Sequence, residues 1–447
     1  MGGHDRPQAQ EIIPVGERKR AALVTLGCKV NWYDSRAMEE ALRAAGFDIA
    51  PEGGEADVYI VNTCAVTAEA ERKSRQTLRK LSRLHPGAAV VATGCYAQRD
   101  PQAVGALSGV SAVHGTAERA GIVAVAQSAL EGQSDFTALS NPGLAYEDMA
   151  AATQQGHTRA VVKIEDGCDA FCAYCVIPHV RGLPRSRPLE SIAAEARALA
   201  ERGFAEIVLV GINLACYADS GGTASEGTLA DAVAAASAPG IRRVRLGSLE
   251  PDAIGGALLS SLAAIPAFCP HFHLSLQSGC DATLARMGRR YTASEYARKL
   301  AMIRETFPDA SVTTDVIVGF PGETGEEFAQ SAAFVAEQGF LKVHVFPYSR
   351  RSGTPAADMP SQVPKAIKEA RATAMQAAAA PGSEAFRRAR LGQVVEVLFE
   401  ECEPEGLSRG YTSNYIEVLA PVTDAAGKIL PVRLTALDGE GMTGEPV

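Results

Sequence analysis

The sequence predicts an α/β protein in three parts: an N-terminal parallel α/β domain, a partial (βα)6 barrel, and a small C-terminal antiparallel β-barrel. Three observations carry this. Continuous apolar strands alternate with helical patterns over residues 20–130, as in a parallel sheet covered on both faces. The same alternation occurs six times after residue 158; right-handed βα units curl into an arc that eight would close. From residue 391 the pattern becomes short stretches of alternating apolar and polar residues with turns between, the mark of a small antiparallel barrel.

In order along the chain, MGGHDRPQAQEIIPVGERKR is polar and has no apolar segment of signal-peptide type, so it reads as a disordered lead. AALVTLGC is followed by the helical NWYDSRAMEEALRAAGF, DVYIVNTC by VTAEAERKSRQTLRKLSRL, and AAVVATGC by a turn and a weaker helix. Residues 131–157 are small, polar and aperiodic, as a linker is. The barrel strands are AVVKIED, EIVLVGIN, RRVRLGSLE, HFHLSLQSG, TTDVIVGF and KVHVFPYS. The boundaries read as 20–130, 131–157, 158–380 and 383–447, with Pro381-Gly382 breaking the exit helix. VVEVLFEE, GYTSNYIEVLAPV and KILPVRLTAL supply the final barrel.

The chain has 447 residues, a formal net charge of -9 and ten cysteines. No apolar run reaches the ~18 residues that span a bilayer, so no membrane is expected. Cysteines in a chain without an export signal fit a reducing cytoplasm, where they serve as ligands or buried thiols rather than disulfides. The negative charge argues mildly against nucleic acid, although local basic patches can override it.

DGCDAFCAYC places Cys168, Cys172 and Cys175 directly after the first barrel strand, on the rim where barrel chemistry occurs. Three closely spaced thiolates can hold three irons of a cubane cluster and leave the fourth open. A zinc knuckle with a distant fourth ligand, or three core cysteines, are the alternatives. Cys28, Cys64 and Cys95 each end a predicted parallel strand, at separations of 36 and 31. Carboxyl ends of parallel strands share one edge, so these thiols can converge on a second cluster; singly, each would be a buried small hydrophobe. The Gly or Thr before each leaves room for a bulky group. Cys216, Cys269, Cys280 and Cys402 show no such spacing and read as buried thiols.

DGCDAFCAYCVIPHVRG resembles the cluster loop of radical S-adenosylmethionine (SAM) enzymes. TLGCKVNWYDSRAMEE, VNTCAVTAEAERKSR and ATGCYAQ resemble the N-terminal domain of the methylthiotransferases within that superfamily. TLGCKVN, RLGSLEP, HLSLQSGCDATLARMGRRYT, HVFPYSRRSGTPA and GYTSNY are most similar to the branch acting on threonylcarbamoyladenosine in tRNA. The resemblance implies two [4Fe-4S] clusters and SAM as cofactors. Cys168, Cys172 and Cys175 then hold the cluster that SAM chelates, and Cys28, Cys64 and Cys95 hold an auxiliary one. It implies that Tyr174 and the turn at Gly319 in GFPGET lie against the adenine of SAM. Ser248, Glu250, Ser275 and Gln277, polar residues on barrel strands, are candidates for its ribose or methionine.

The reaction so implied adds a methylthio group to C2 of the modified adenosine beside the anticodon. A 5′-deoxyadenosyl radical takes the C2 hydrogen, and a second SAM methylates sulfur held on the auxiliary cluster. No protein residue is required as a general base. Expected partners are the tRNA anticodon loop, an electron donor such as flavodoxin or ferredoxin, and a sulfur donor. The alternatives are the same chemistry on isopentenyladenosine or on a ribosomal-protein aspartate, and a non-catalytic metal-cluster RNA-binding protein.

Three basic stretches offer phosphate contacts or plain solvated faces: Arg72, Lys73, Arg75, Arg79, Lys80 and Arg83; Arg181, Arg185 and Arg187; and Arg286, Arg289 and Arg290. The last barrel resembles a TRAM RNA-binding domain, with Arg409, Tyr411 and Tyr415 placed either to stack bases or to pack inside. The acidic FEECEPEG beside them departs from a simple basic grip.

Overall fold

The computed structural model describes residues 18–51, 53–133, 142–143, 145–151, 154, 156–217 and 227–447. Residues 1–17 of the expected N-terminal lead and part of the expected linker therefore lie outside the described residues.

The first domain is a parallel sheet in the order β2-β1-β3-β4-β5, formed by β1 (Arg20–Thr25), β2 (Asp48–Ile49), β3 (Val58–Thr63), β4 (Ala89–Gly94) and β5 (Ala112–Val113). Every residue of β3 and β4 is buried, because helices cover both faces. Tyr59 and Val61 pack with Leu78 and Leu81 on one side; Val58 and Ile60 pack with Leu42 and Ile122 on the other. The helix Ala68–Leu84 starts where Thr67 accepts from the Ala70 N–H, with Glu69 and Glu71 in its first turn.

The barrel strands are β6 (Arg159–Lys163), β9 (Glu206–Val210), β10 (Arg243–Leu246), β11 (Ser248–Leu249), β12 (His271–Leu274), β13 (Ser311–Val318) and β14 (Lys342–Pro347). A short hairpin, β7 (Glu165–Asp166) with β8 (Arg185–Ser186), brackets the cysteine loop. β6, β9 and β10 form one sheet in the order β10-β9-β6, and β11 to β14 follow in sequence order. β10 and β11 are one predicted strand interrupted at Gly247, where a Cβ would meet the Leu209 carbonyl at 3.1 Å. The arc stays open between β6 and β14. Its outer face packs Val162, Ile207 and Leu209 against Ile192, Ala196 and Leu199. Its inner face sets Val208 and Val210 against Val30 of the first domain.

The exit helix, Lys365–Arg388, runs through Pro381 without breaking. Tertiary contact overrides the local signal: Gly382 lies so close to Gly339 that a Cβ would approach its Cα to 2.8 Å, and Ser383 Oγ donates to the Leu341 carbonyl.

The C-terminal barrel is closed in the order β15-β16-β17-β19-β18, using β15 (Val394–Glu403), β16 (Leu407–Thr412), β17 (Glu417–Ala420), β18 (Ile429–Asp438) and β19 (Gly441–Pro446). It differs from the antiparallel expectation at one seam, since β17 and β19 run parallel. Parity requires this: an odd number of strands closed in a ring cannot alternate direction at every joint. Among the described residues, no helix is long and apolar enough to cross a membrane.

Candidate functional site

β1, β3 and β4 are parallel neighbours, so their carboxyl ends share an edge. Cys64 and Cys95 are the first residues past β3 and β4, and the pairing of Thr63 with Gly94 sets them side by side. Cys28 is brought to them by Gly27, whose φ is +110°; a Cβ there would lie 2.9 Å from both Cβ and Sγ of Cys64. A Cβ on Gly94 would lie 2.2 Å from Asn62 Oδ1. Gly27 therefore leaves room for the Cys64 side chain beside Cys28, and Gly94 for the Asn62 amide and the Thr63 backbone. Cys28 is exposed, whereas Cys64 and Cys95 are buried. Burial pushes the Cys64 thiol up to about 11, and the neighbouring cysteines add to it; burial also raises Cys95. Bare thiolates this close oppose one another, a penalty that bound iron removes, so the donor set fits a metal cluster.

The second triad sits on the hairpin loop. Gly167, at φ +100°, would clash with the Leu183 carbonyl at 2.1 Å if it carried a Cβ. The Cys168 N–H donates to the Gly182 carbonyl at 3.0 Å, and the Cys175 N–H to the Cys172 carbonyl at 2.9 Å. Burial pushes Cys168 up to about 11 and Cys175 to about 12, with neighbouring cysteines raising both. Donors already face the sulfurs: Arg289 Nη1 lies 3.1 Å from Cys172 Sγ, and Asn213 Nδ2 lies 3.7 Å from Cys168 Sγ. The three sulfurs on one tight loop fit a cluster with an open iron.

The two triads are joined. The helix Ile177–Arg181 follows Cys175, and its Val180 packs in one core with Tyr96 and Ala97 of the helix that begins at Cys95. At its end, Arg181 Nε donates to Cys95 Sγ at 3.3 Å. The same guanidinium donates to Asn31 Oδ1 at 2.7 Å, Asp34 Oδ2 at 2.9 Å and Asp166 Oδ1 at 2.9 Å. Lys163 and Arg119 pair with the same two carboxylates. Burial opposes their charge, but Arg119, Lys163 and Arg181 outweigh it, holding Asp34 below and Asp166 well below the usual range. Part of the expected linker joins in: Tyr146 OH donates to the Lys163 carbonyl, and Glu147 pairs with Arg119.

This overturns one expectation. The side chains of Arg181, Arg185 and Arg187 are 1 %, 4 % and 1 % exposed. They are neither a solvated face nor phosphate contacts, because carboxylates neutralise them: Asp34 and Asp166 pair with Arg181, Asp166 with Arg185, and Glu195 and Asp148 with Arg187. Arg289 is likewise internal. It pairs with Glu250, touches Cys172, and donates from Nε to Tyr291 OH at 3.1 Å. The helix carrying Arg72, Lys73, Arg79, Lys80 and Arg83 does present them to solvent.

Of the expected SAM contacts, Tyr174 and Glu250 gather around Arg289 and Cys172: Glu250 pairs with Arg289, and Tyr174 feels both charges. Tyr174 also sets its ring edge toward Phe320 at 6.4 Å, and Gly319 immediately precedes that phenylalanine. Gly319 has a φ of +68°, and a Cβ there would meet Lys368 Cγ at 2.2 Å. Its N–H donates to Glu323 Oε2 at 2.7 Å. Ser275 is buried, and its carbonyl accepts from Tyr291 OH. Gln277, at φ +66°, is inserted against Asp315 and Ile317 of β13. Ser248 is exposed at the start of β11. Arg289, Arg181 and Asn213 were missed as site residues. The basic stretch LARMGRRYT reads from sequence as phosphate contacts or a solvated face, and neither reading points to a cysteine.

Tyr411 and Tyr415 do not project as a stacking platform. Tyr415 stacks on His271 of β12 at 4.5 Å and on Tyr411 at 4.9 Å, with Arg245 over its ring at 4.8 Å. Arg409 is tied to Glu403 and Glu417. Beside them, Cys28, Lys29, Trp32, Arg159, Glu400 and Tyr415 line a cavity of about 380 Å³ between the three parts of the chain. The remaining cysteines divide. Cys269 and Cys280 are buried, but Cys402 is exposed on a barrel strand. Cys216 is only partly buried and lies near Asn213 and Asp169 of the cysteine loop.

Two family models match the chain: "Uncharacterized protein family UPF0004" over residues 20–115 and "Radical SAM superfamily" over residues 162–335. The threonylcarbamoyladenosine tRNA methylthiotransferase MtaB of Bacillus subtilis is 36% identical over 92% of this chain and 93% of its own length. Its namesake from Thermotoga maritima is 36% identical over 95% and 96%. Among solved structures, the radical S-adenosylmethionine methyltransferase TsrM of Kitasatospora setae superposes with a TM-score of 0.55, covering 76% of this chain and 75% of that one. At 17% identity, that likeness is one of fold.

Proposed function

The chain belongs to the radical SAM methylthiotransferases, and from that membership we propose that it adds a methylthio group to C2 of N6-threonylcarbamoyladenosine beside the anticodon of tRNA. It is a transferase of the radical SAM class, working with an iron–sulfur cluster and SAM. Cys168, Cys172 and Cys175 would hold the [4Fe-4S] cluster that binds SAM, and Cys28, Cys64 and Cys95 a second one. When bound, the clusters and SAM supply the reductive cleavage, the sulfur and the methyl group.

The chain's own residues position these groups. Arg289 donates to Cys172 and, through Glu250 and Tyr291, fixes the rim on which Tyr174 stands. Arg181 donates to Cys95 and ties that thiol to the loop of the other triad. Cys28 is exposed, and a cluster held there would be open to a sulfur donor. The exposed cations on the helix after Cys64 suit phosphates of an anticodon loop, whose bases can be splayed out. The observation that supports this reading is the packed junction between the two triads, which would let two clusters act together.

The test is mass spectrometry of tRNA nucleosides. The protein, reconstituted anaerobically with iron and sulfide, is given SAM, dithionite and tRNA carrying threonylcarbamoyladenosine. A methylthio adduct on that nucleoside is expected. An adduct on isopentenyladenosine alone, or none with 5′-deoxyadenosine formed, refutes the substrate assignment.

A further inference from the structure

The barrel interior holds side chains that the cluster chemistry does not use. His273 on β12, Asp315 on β13 and His344 on β14 each bring a ligand atom within 4.8 Å of the others. All three face the lumen, because strand neighbours alternate and Phe272, Leu274, Val316, Val343 and Val345 lie in the outer core. Asp315 and His344 are direct cross-strand partners.

We propose that His273, Asp315 and His344 form a binding site for a divalent first-row metal ion, zinc or ferrous iron. His273 Nε2 lies 3.4 Å from Asp315 Oδ2, and two ligands about 2.0–2.1 Å from a tetrahedral zinc are themselves about 3.4 Å apart. The other ring nitrogen, Nδ1, lies 2.9 Å from Thr313 Oγ1. Such an outer hydrogen bond fixes the ring and its tautomer in metal-binding histidines. Thr313 is itself held by the buried His271 at 3.0 Å. His344, half-buried, makes no hydrogen bond among the described residues, and a cation would be its partner. Two imidazoles and one carboxylate leave coordination positions open toward the lumen, the pattern of a reactive rather than a purely structural site. The ligands sit on three adjacent strands, which hold them rigidly. The site stands on this geometry and not on the assignment of the tRNA substrate.

Tag-free protein with its clusters reconstituted would be dialysed to equilibrium against buffered zinc, and zinc and iron counted by mass spectrometry. One zinc per chain is expected in the native protein. It should be lost in His344→Gln and His273→Gln with iron unchanged, and bound about tenfold more weakly in Thr313→Val. No zinc in the native chain, or equal zinc in His344→Gln, overturns the proposal. Zinc-edge X-ray absorption of the native protein reads the site even where a variant loses its iron. Imidazole and oxygen neighbours uphold the assignment, and sulfur neighbours refute it.

Discussion

Arg181→Met removes the fork that joins the two thiol triads while keeping an apolar stem in place. Arg181 donates to Asn31, Asp34, Cys95 and Asp166. Leaving a buried charge without its partner costs about 3–5 kcal/mol. Here both carboxylates keep partners, since Asp34 retains Lys163 and Arg119, and Asp166 retains Arg119 and Lys163. The expected loss is therefore at the lower end, about 3 kcal/mol, read by urea denaturation of cluster-free protein. A second readout separates this from mere destabilisation. Hydrogen bonds to ligand sulfurs raise a cluster's reduction potential, so the auxiliary cluster should become harder to reduce. An EPR-monitored titration in a Cys172→Ala background isolates that cluster. A stability loss below about 1 kcal/mol, the worth of one ordinary hydrogen bond, together with an unmoved potential would refute the reasoning.

Burial holds Glu165 well above the usual carboxylate range, so the folded state keeps a proton that the unfolded chain sheds above about pH 4.3, and stability declines as pH rises through that window. Glu165→Gln should match the native protein within about 1 kcal/mol at pH 5 and exceed it at pH 8 by urea denaturation. Asp166 has the opposite sign. Its contribution is full above its unfolded value of about 3.9 and is lost as pH falls through its lower folded value, so the deficit of Asp166→Asn should shrink in melts below that pH. Tyr415 is partly buried, so Tyr415→Ala should cost less than the about 3–5 kcal/mol of a fully buried aromatic yet leave tRNA affinity unchanged in filter binding. Arg79→Ala should weaken it and flatten its salt dependence by about one counterion. Pro381→Ala should stabilise the exit helix by about 1–3 kcal/mol in thermal or chemical unfolding.

The sheets and both thiol triads were legible because their signals are local. A strand ending in TLGC, VNTC or ATGC announces its edge, and C-x-x-x-C-x-x-C is contiguous. The arginines were not legible in the same way. A run of positive charge looks the same whether it faces water or a buried carboxylate, and Arg181 meets Asp34 across 147 positions. Pro381-Gly382 shows the same limit: the two residues signal a stop, and packing against Gly339 keeps the helix going. Tyr411 and Tyr415 could stack on bases or pack inside, and only the position of β12 decides it.

The buried pairing of Asp34 also imposes an order on synthesis. Lys163 follows Asp34 by 129 residues and Arg181 by 147. At about 5–20 residues per second, Asp34 leaves the ribosome roughly 7–30 s before the last of its cations, Arg181. Until then, among the described residues, Arg119 is the one cation of its own domain that pairs with Asp34. The N-terminal domain thus completes its packing as a consequence of the barrel's arrival, and iron loaded before that point would meet thiols whose backing is not yet in place.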